Sequence, residues 1–216
     1  MAFVVTDVEV VVALGVVLIV VYVVGSYWKH RTLTGYAHWF EENYRSRGKV
    51  QFASYGHAGL KVKCEMNDKS DGFRELYFTI SLGARENLMY YPLVPLMHDF
   101  DLVTCWGIAE GPVKSNLRVI SADDKKQIGY SESLANMQKL DDRELNMLGY
   151  VAYTSNREYT SRFFSQASLV SRLKDFREIR LIELDMTSSL IRVVSKLKKE
   201  RLPALTGLIS ALGRAV

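Results

Sequence analysis

An unbroken apolar run stands out first in the hydrophobic pattern. From Val10 to Trp28 no residue is charged, and twelve of the nineteen are Val, Leu or Ile. As a helix this run is about 28 Å long, against a bilayer hydrocarbon core of about 30 Å. Twelve such side chains favour insertion by about 4 to 7 kcal/mol. A cleaved signal peptide would need cations before the run and a small-residue cleavage site after it. Only Asp7 and Glu9 precede it closely, and the expectation is a retained transmembrane helix over 10–28, with 1–9 as a short extracytosolic stretch.

Beyond the run the period changes. Tyr36, Trp39, Phe40 and Tyr44 recur at three-to-four-residue spacing before Gly48, which predicts a juxtamembrane amphipathic helix over 29–48 continuing the anchor. Leu60, Val62, Cys64 and Met66 then alternate with polar residues, as do Leu76, Phe78, Ile80 and Leu82 after the turn-forming Asn67 to Gly72. That is a β-hairpin with one buried face. A helix-like stretch from Arg85 to Tyr91 is stopped by Pro92 and Pro95. Leu102 to Ile108 and Leu117 to Ser121 flank Glu110-Gly111-Pro112 and predict a second hairpin. Residues 123–140 read as a loop with one short helix. Met147 to Tyr153 alternate as a strand, Arg157 to Phe176 read as helix, and Ile179 to Asp185 as a short strand.

At the C-terminal end, Leu190, Ile191, Val193, Val194 and Leu197 fit one face of a helix, with Arg192, Lys196 and Lys199 opposite and Asp185, Thr187 or Ser188 as cap. Pro203 opens a further helical stretch whose Leu205, Leu208, Ile209 and Leu212 form an apolar stripe. At about 14 residues it is too short to span a bilayer. It is expected to dock on its own domain or to face the membrane or a membrane partner. The predicted fold class is α+β: a single transmembrane helix, then one cytosolic domain of antiparallel hairpins and packed helices over 49–187, closed by a basic amphipathic helix and apolar tail over 188–216.

Charge places the domain. Lys29 and Arg31 follow the apolar run immediately, joined by Arg45, Arg47 and Lys49, while no Lys or Arg precedes it. The cation bias predicts an outside N-terminus and a cytosolic domain, with Tyr22, Tyr27 and Trp28 in the headgroup region. The chain has 28 Lys and Arg against 24 Asp and Glu, a net charge of +4. Five cations and one anion fall between Arg192 and Arg201, so the surplus is concentrated there. A solvated face, contact with RNA phosphates and attraction to anionic lipid are three readings of that cluster.

Little points to chemistry. His30, His38, His57 and His98 show no metal-ligand spacing, and His98-Asp99 is an ordinary neighbour pair. Gly56-His57-Ala58-Gly59 precedes a strand and reads as a turn, not as a phosphate loop. No serine lies in a nucleophile motif, and Cys64 and Cys105 lack redox spacing, which fits a reducing compartment. No catalytic residue, metal or cofactor is predicted.

Val20 to Arg31 (VVYVVGSYWKHR) together with Tyr36 to Phe40 (YAHWF) resembles the calumin family, coiled-coil-containing proteins of the endoplasmic reticulum membrane in the translocon-associated PAT complex. Ala37, Trp39 and Phe40 match that family's Ala-x-Trp-Phe pattern, and Leu190 to Arg201 would occupy its basic closing element. The chain departs from the family in lacking a long acidic segment before the anchor and a charged coiled coil after the domain, as a compact archaeal-type relative would. The resemblance implies a non-enzymatic adaptor or chaperone that works with the ribosome and the translocon or insertase on client transmembrane helices of multipass proteins. The membrane would be the endoplasmic reticulum in a eukaryote and the plasma membrane in an archaeon. On that reading Arg192, Lys196, Lys198, Lys199 and Arg201 contact ribosomal RNA, and Tyr22, Tyr27, Trp28, Trp39, Phe40, Leu205, Leu208, Ile209 and Leu212 face the membrane or partners. The alternatives are a membrane-tethered scaffold or sensor for another membrane protein, and a tethered enzyme with an unfamiliar site.

Overall fold

The computed structural model describes residues 7–55, 59–67, 71–83, 101–122 and 137–216. Helix α1 (Asp7–Tyr44) runs without interruption through both the apolar run and the aromatic segment. A three-residue turn leads from it into strand β1 (Gly48–Tyr55). There follow β2 (Gly59–Met66), β3 (Phe73–Ser81), β4 (Leu102–Ala109), β5 (Leu117–Ser121) and β6 (Gln138–Leu140). Helix α2 (Arg143–Met147), β7 (Tyr150–Thr154), α3 (Arg157–Gln166), α4 (Leu169–Asp175), β8 (Ile179–Asp185), β9 (Leu190–Lys196) and α5 (Leu202–Arg214) complete the chain.

All nine described strands join one sheet in the order β1-β2-β3-β4-β9-β8-β5-β7-β6, with every described pairing antiparallel. The protein is α+β, as expected. One sheet face carries the core: Val62 and Cys64 from β2, Phe78 and Ile80 from β3, Val103 from β4, Ile182 from β8 and Ile191 and Val193 from β9 are each at most 2 % exposed. Tyr36, Phe40 and Tyr44 of α1 close this face at one side, with the Phe40 ring 4.6 Å and the Tyr44 ring 5.6 Å from Phe78. The apolar stripe of α5 also lies in this core, together with Phe163 of α3 and Leu169 and Leu173 of α4. Where α5 ends against the β2–β3 turn, a Cβ on Gly213 would stand 2.3 Å from the Asp71 carbonyl oxygen. Gly72 has φ +74°, and a Cβ there would meet the Gly213 carbonyl at the same distance, so this crossing demands glycine on both sides.

Several expectations are corrected. Leu190–Lys196 is a strand, not a helix. Its sequence fits both periods, but β-branched Ile191, Val193 and Val194 suit a pleated sheet, in which Ile191, Val193 and Ser195 point inward and Arg192, Val194 and Lys196 outward. The supposed caps build the β8–β9 turn instead: Asp185 accepts from the Thr187 amide and the Ser188 hydroxyl, and Ser189 takes φ 51°. The second hairpin is also wrong in its pairing. β4 and β5 both exist, but the β8–β9 hairpin lies between them. The helix expected over 157–176 breaks at Ser168, whose φ is 49°. The strand expected from Met147 starts only at Tyr150, after a turn at Gly149 with φ +80°. β1 comes without any periodic signal because most of its residues are exposed on both sides at the sheet edge, and β6 replaces the loop or helix expected over 138–140. The helix expected over 85–91, most of the loop over 123–140, His57 and the His98-Asp99 pair lie outside the described residues.

Candidate functional site: the second sheet face and the anchor-side end

The face turned away from the core holds a continuous row of cross-strand partners. Gln51 pairs with Lys63, Lys63 with Tyr77, Tyr77 with Trp106, Trp106 with Arg192, Arg192 with Glu183, Glu183 with Arg118, Arg118 with Tyr153, and Tyr153 with Lys139. It crosses all nine strands. Because side chains directly opposite on one face lie about 5 Å apart, such a row lets charges and rings act on each other in series.

Two clusters result. The Tyr77 and Trp106 rings stack at 4.0 Å with 7° between their planes, and the Lys63 ammonium lies 5.7 Å over the outer face of Tyr77. Lys63 also pairs with Glu65 at 2.8 Å and Glu75 at 3.1 Å, while the Tyr77 hydroxyl donates to Glu75. The Tyr77 and Lys63 hydrogen bonds hold the Glu75 carboxyl below its ordinary range, and the bonds to Glu65 and Glu75 raise Lys63. Each group moves away from neutral pH, the opposite of what a general acid or base requires. This cluster borders an open groove of about 580 Å³ lined by Lys61, Thr79 and Thr104 among others. In the second cluster the Glu183 carboxylate, 12 % exposed, lies between Arg118, whose Nε donates at 2.7 Å, and Arg192 at 2.5 Å.

The end of the sheet where β9 finishes holds the remaining predicted cations. Lys198, Lys199 and Arg201 are exposed on the loop that joins β9 to α5, which includes a one-turn 3-10 helix over Lys199–Arg201. Glu178 pairs with Lys198 at 3.0 Å and with Arg201 at 3.8 Å, and the Arg201 guanidinium donates to the Asp175 carbonyl. Burial tends to raise the Glu178 carboxyl, but Lys198 and Arg201 outweigh it and hold it below its usual value. Lys196 is half-buried at the end of β9. The five cations therefore do not form one helical stripe. Arg192 belongs to the row, and the others to the sheet end.

The predicted apolar contacts also separate. Tyr22, Tyr27 and Trp28 are 60 to 69 % exposed on α1. Phe40, Leu205, Leu208, Ile209 and Leu212 are at most 2 % exposed, so they are core residues and face no partner. The reason is that the sheet supplies a broad apolar face to which both helices turn their stripes. Trp39 packs partly against the same core, edge-on to Phe40. Cys64 and Cys105 are buried free thiols; burial pushes Cys64 up to about 12 and Cys105 well above its ordinary value, so both stay protonated and unreactive. Among the described residues no three His, Cys, Asp or Glu side chains are placed to hold a metal ion. Sequence reasoning missed Tyr77, Trp106, Glu183 and Arg118, because their row exists only once distant strands are in register.

Fold and surface define a class: one long apolar helix feeding a helix-backed antiparallel sheet with a charged and aromatic outer face. No protein-family model matches the chain, and no curated protein is similar to it.

Proposed function

We propose that this protein is a single-pass, membrane-anchored adaptor without catalytic activity, its N-terminus outside and its sheet domain held against the cytosolic membrane surface. One observation carries the reading. α1 is a single helix whose outer part, with a mean hydropathy of 2.8 over its most apolar window, is entirely unburied, while its inner part is built into the domain core. Such a helix is long and apolar enough to cross a membrane, and it joins anchor and domain with no linker between them. The cation bias after Trp28 supports the orientation. Carbonate extraction of membranes carrying the full chain should leave it in the pellet, and protease added on the cytosolic side should remove the domain. Release into the supernatant would overturn the anchor, and protection of the domain would overturn the orientation.

The finer reading, assistance to the ribosome and translocon in multipass protein biogenesis, rests on the resemblance over residues 20–40. Ribosome co-sedimentation of the detergent-solubilised chain across a salt series tests it. Salt-sensitive association supports the reading, and none at any salt leaves a scaffold for other membrane proteins in its place.

A further inference from the structure

The sheet has two ends, and topology fixes which one lies beside the anchor. Tyr55 pairs with Gly59, Gly59 with Ser81, Ser81 with Leu102, and Leu102 with Lys196, forming one terminal row. At the opposite end Arg47, just after α1, pairs with Asp71 at 3.2 Å. Tyr44 therefore marks the far end of α1, Phe40 lies over Phe78 in mid-sheet, and the helix leaves the domain past the terminal row.

Counting along both elements gives the level of that row. From Phe78 to Ser81 is about 10 Å of strand, matched by about seven residues of helix from Phe40 to Leu33. Two more residues beyond Lys196 reach Lys198, which brings the 198–201 loop level with the Lys29 to Leu33 stretch. Lys29 is only 5 % exposed, so packing along α1 extends to the first residue after the apolar run. At this same level are the exposed Arg177, the half-buried Lys196 and the start of α5, whose amide end adds positive potential.

We infer that the 198–201 loop, flanked by Arg177 and Lys196, is a foot that seats the domain on the anionic headgroups of the leaflet through which α1 passes. The inference rests on the anchored reading. Its occupant follows from position and charge: a cationic loop held at the depth where the apolar run ends meets phosphate and carboxylate headgroups before it meets any soluble ligand. The continuous α1 brings the loop, with its one-turn 3-10 helix over Lys199–Arg201, within reach of the headgroups, and attraction to anionic lipid then tilts the domain down onto the leaflet. Glu178 holds Lys198 and Arg201 together at the sheet end.

The test uses the full chain in lipid nanodiscs, with Ala204→Cys labelled by a donor dye and an acceptor on the headgroups. Ala204 is exposed in the first turn of α5, and the two native thiols are buried. Energy transfer should be higher in discs of phosphatidylcholine with phosphatidylserine than in phosphatidylcholine alone. The difference should shrink with added salt and vanish in the K198E/K199E/R201E variant. Equal transfer in the two lipids, or a difference that survives the reversal, would overturn the foot. Retention of an RNA duplex by wild type alongside lipid-independent transfer would assign the loop to RNA, and also overturns it. If the reversal fails to fold, Lys199→Gln and the wild-type salt series carry the same decision. A chain that does not co-elute with the discs at all contradicts the anchor instead, so the two failures are distinct.

Discussion

The outer part of α1 and the stripe of α5 are both aliphatic and meet opposite surroundings. Ile19 is 65 % exposed and Val17 53 %, whereas Leu205, Leu208, Ile209 and Leu212 are at most 2 % exposed. Polar positions explain the difference. In α5, Thr206, Ser210 and Arg214 occupy the side away from the stripe, so the helix has one face for the sheet and one for water. Between Val10 and Trp28, α1 has no such side, and a sheet can cover only one flank of a helix. An all-round apolar helix requires apolar surroundings everywhere, which a bilayer supplies and the described part of this domain does not.

The sharpest way to break the comparison is to shorten side chains in each part and follow unfolding. Phe40→Ala, in the packed half of α1, should lower the stability of the domain by about 3–5 kcal/mol, and Leu208→Ala in α5 by about 2–5 kcal/mol. Val17→Ala should leave domain unfolding unchanged, since nothing described packs on it. Urea unfolding of the full chain in detergent, read by Trp fluorescence, measures all three. A loss at Val17 comparable to that at Leu208 would mean the outer helix packs on the domain, and the contrast would collapse.

The second sheet face offers a smaller contrast within one row. Glu183 is held between two arginines at 12 % exposure, while Arg192 is 41 % exposed. Removing the shared carboxylate leaves Arg118, only 16 % exposed, without compensation. Glu183→Ala is expected to cost about 3 kcal/mol, and Arg192→Ala less than about 1 kcal/mol because Glu183 keeps its ion pair with Arg118. Equal costs by the same unfolding measurement would show that the ion pair holds Arg192 as firmly as it holds Arg118, leaving no cation of that pair to offer a ligand.

How much of this was legible varies with how local the signal is. The α1 run, the juxtamembrane aromatics, the α5 stripe and the β2–β3 hairpin all follow from spacing within one element. Leu190–Lys196 was not, because its residues satisfy a helix period and a strand period equally, and the choice is made by β4 and β8 on either side. β4 and β5 read as neighbours since only a short turn separates them, yet the hairpin that divides them begins only at Ile179, long after β5 ends at Ser121. The row from Gln51 to Lys139 is wholly tertiary. Lys63, Tyr77 and Trp106 look like ordinary outward positions until register sets them side by side. The basic cluster was visible as composition, but its division between the row and the sheet end required the strand.

The smallest stability effect gives the most direct reading of the anchor-side end. Glu178 is 13 % exposed and holds Lys198 and Arg201, which are about half exposed, so the pairing contributes under about 1 kcal/mol after solvent screening. Its folded carboxyl lies below the ordinary value near 4.3, hence the contribution is present above that value and is lost as pH falls through the folded one. Glu178→Gln should therefore shift the unfolding midpoint little at neutral pH and flatten its dependence on pH below the ordinary carboxylate range. The same change removes one negative charge from beside the loop and leaves Lys198 and Arg201 to whatever anion lies next to them. If that anion is a headgroup, phosphatidylserine-dependent energy transfer rises in Glu178→Gln while stability barely moves. If transfer falls instead, Glu178 is needed to aim the two cations, and the loop contacts lipid only in the geometry that the carboxylate imposes.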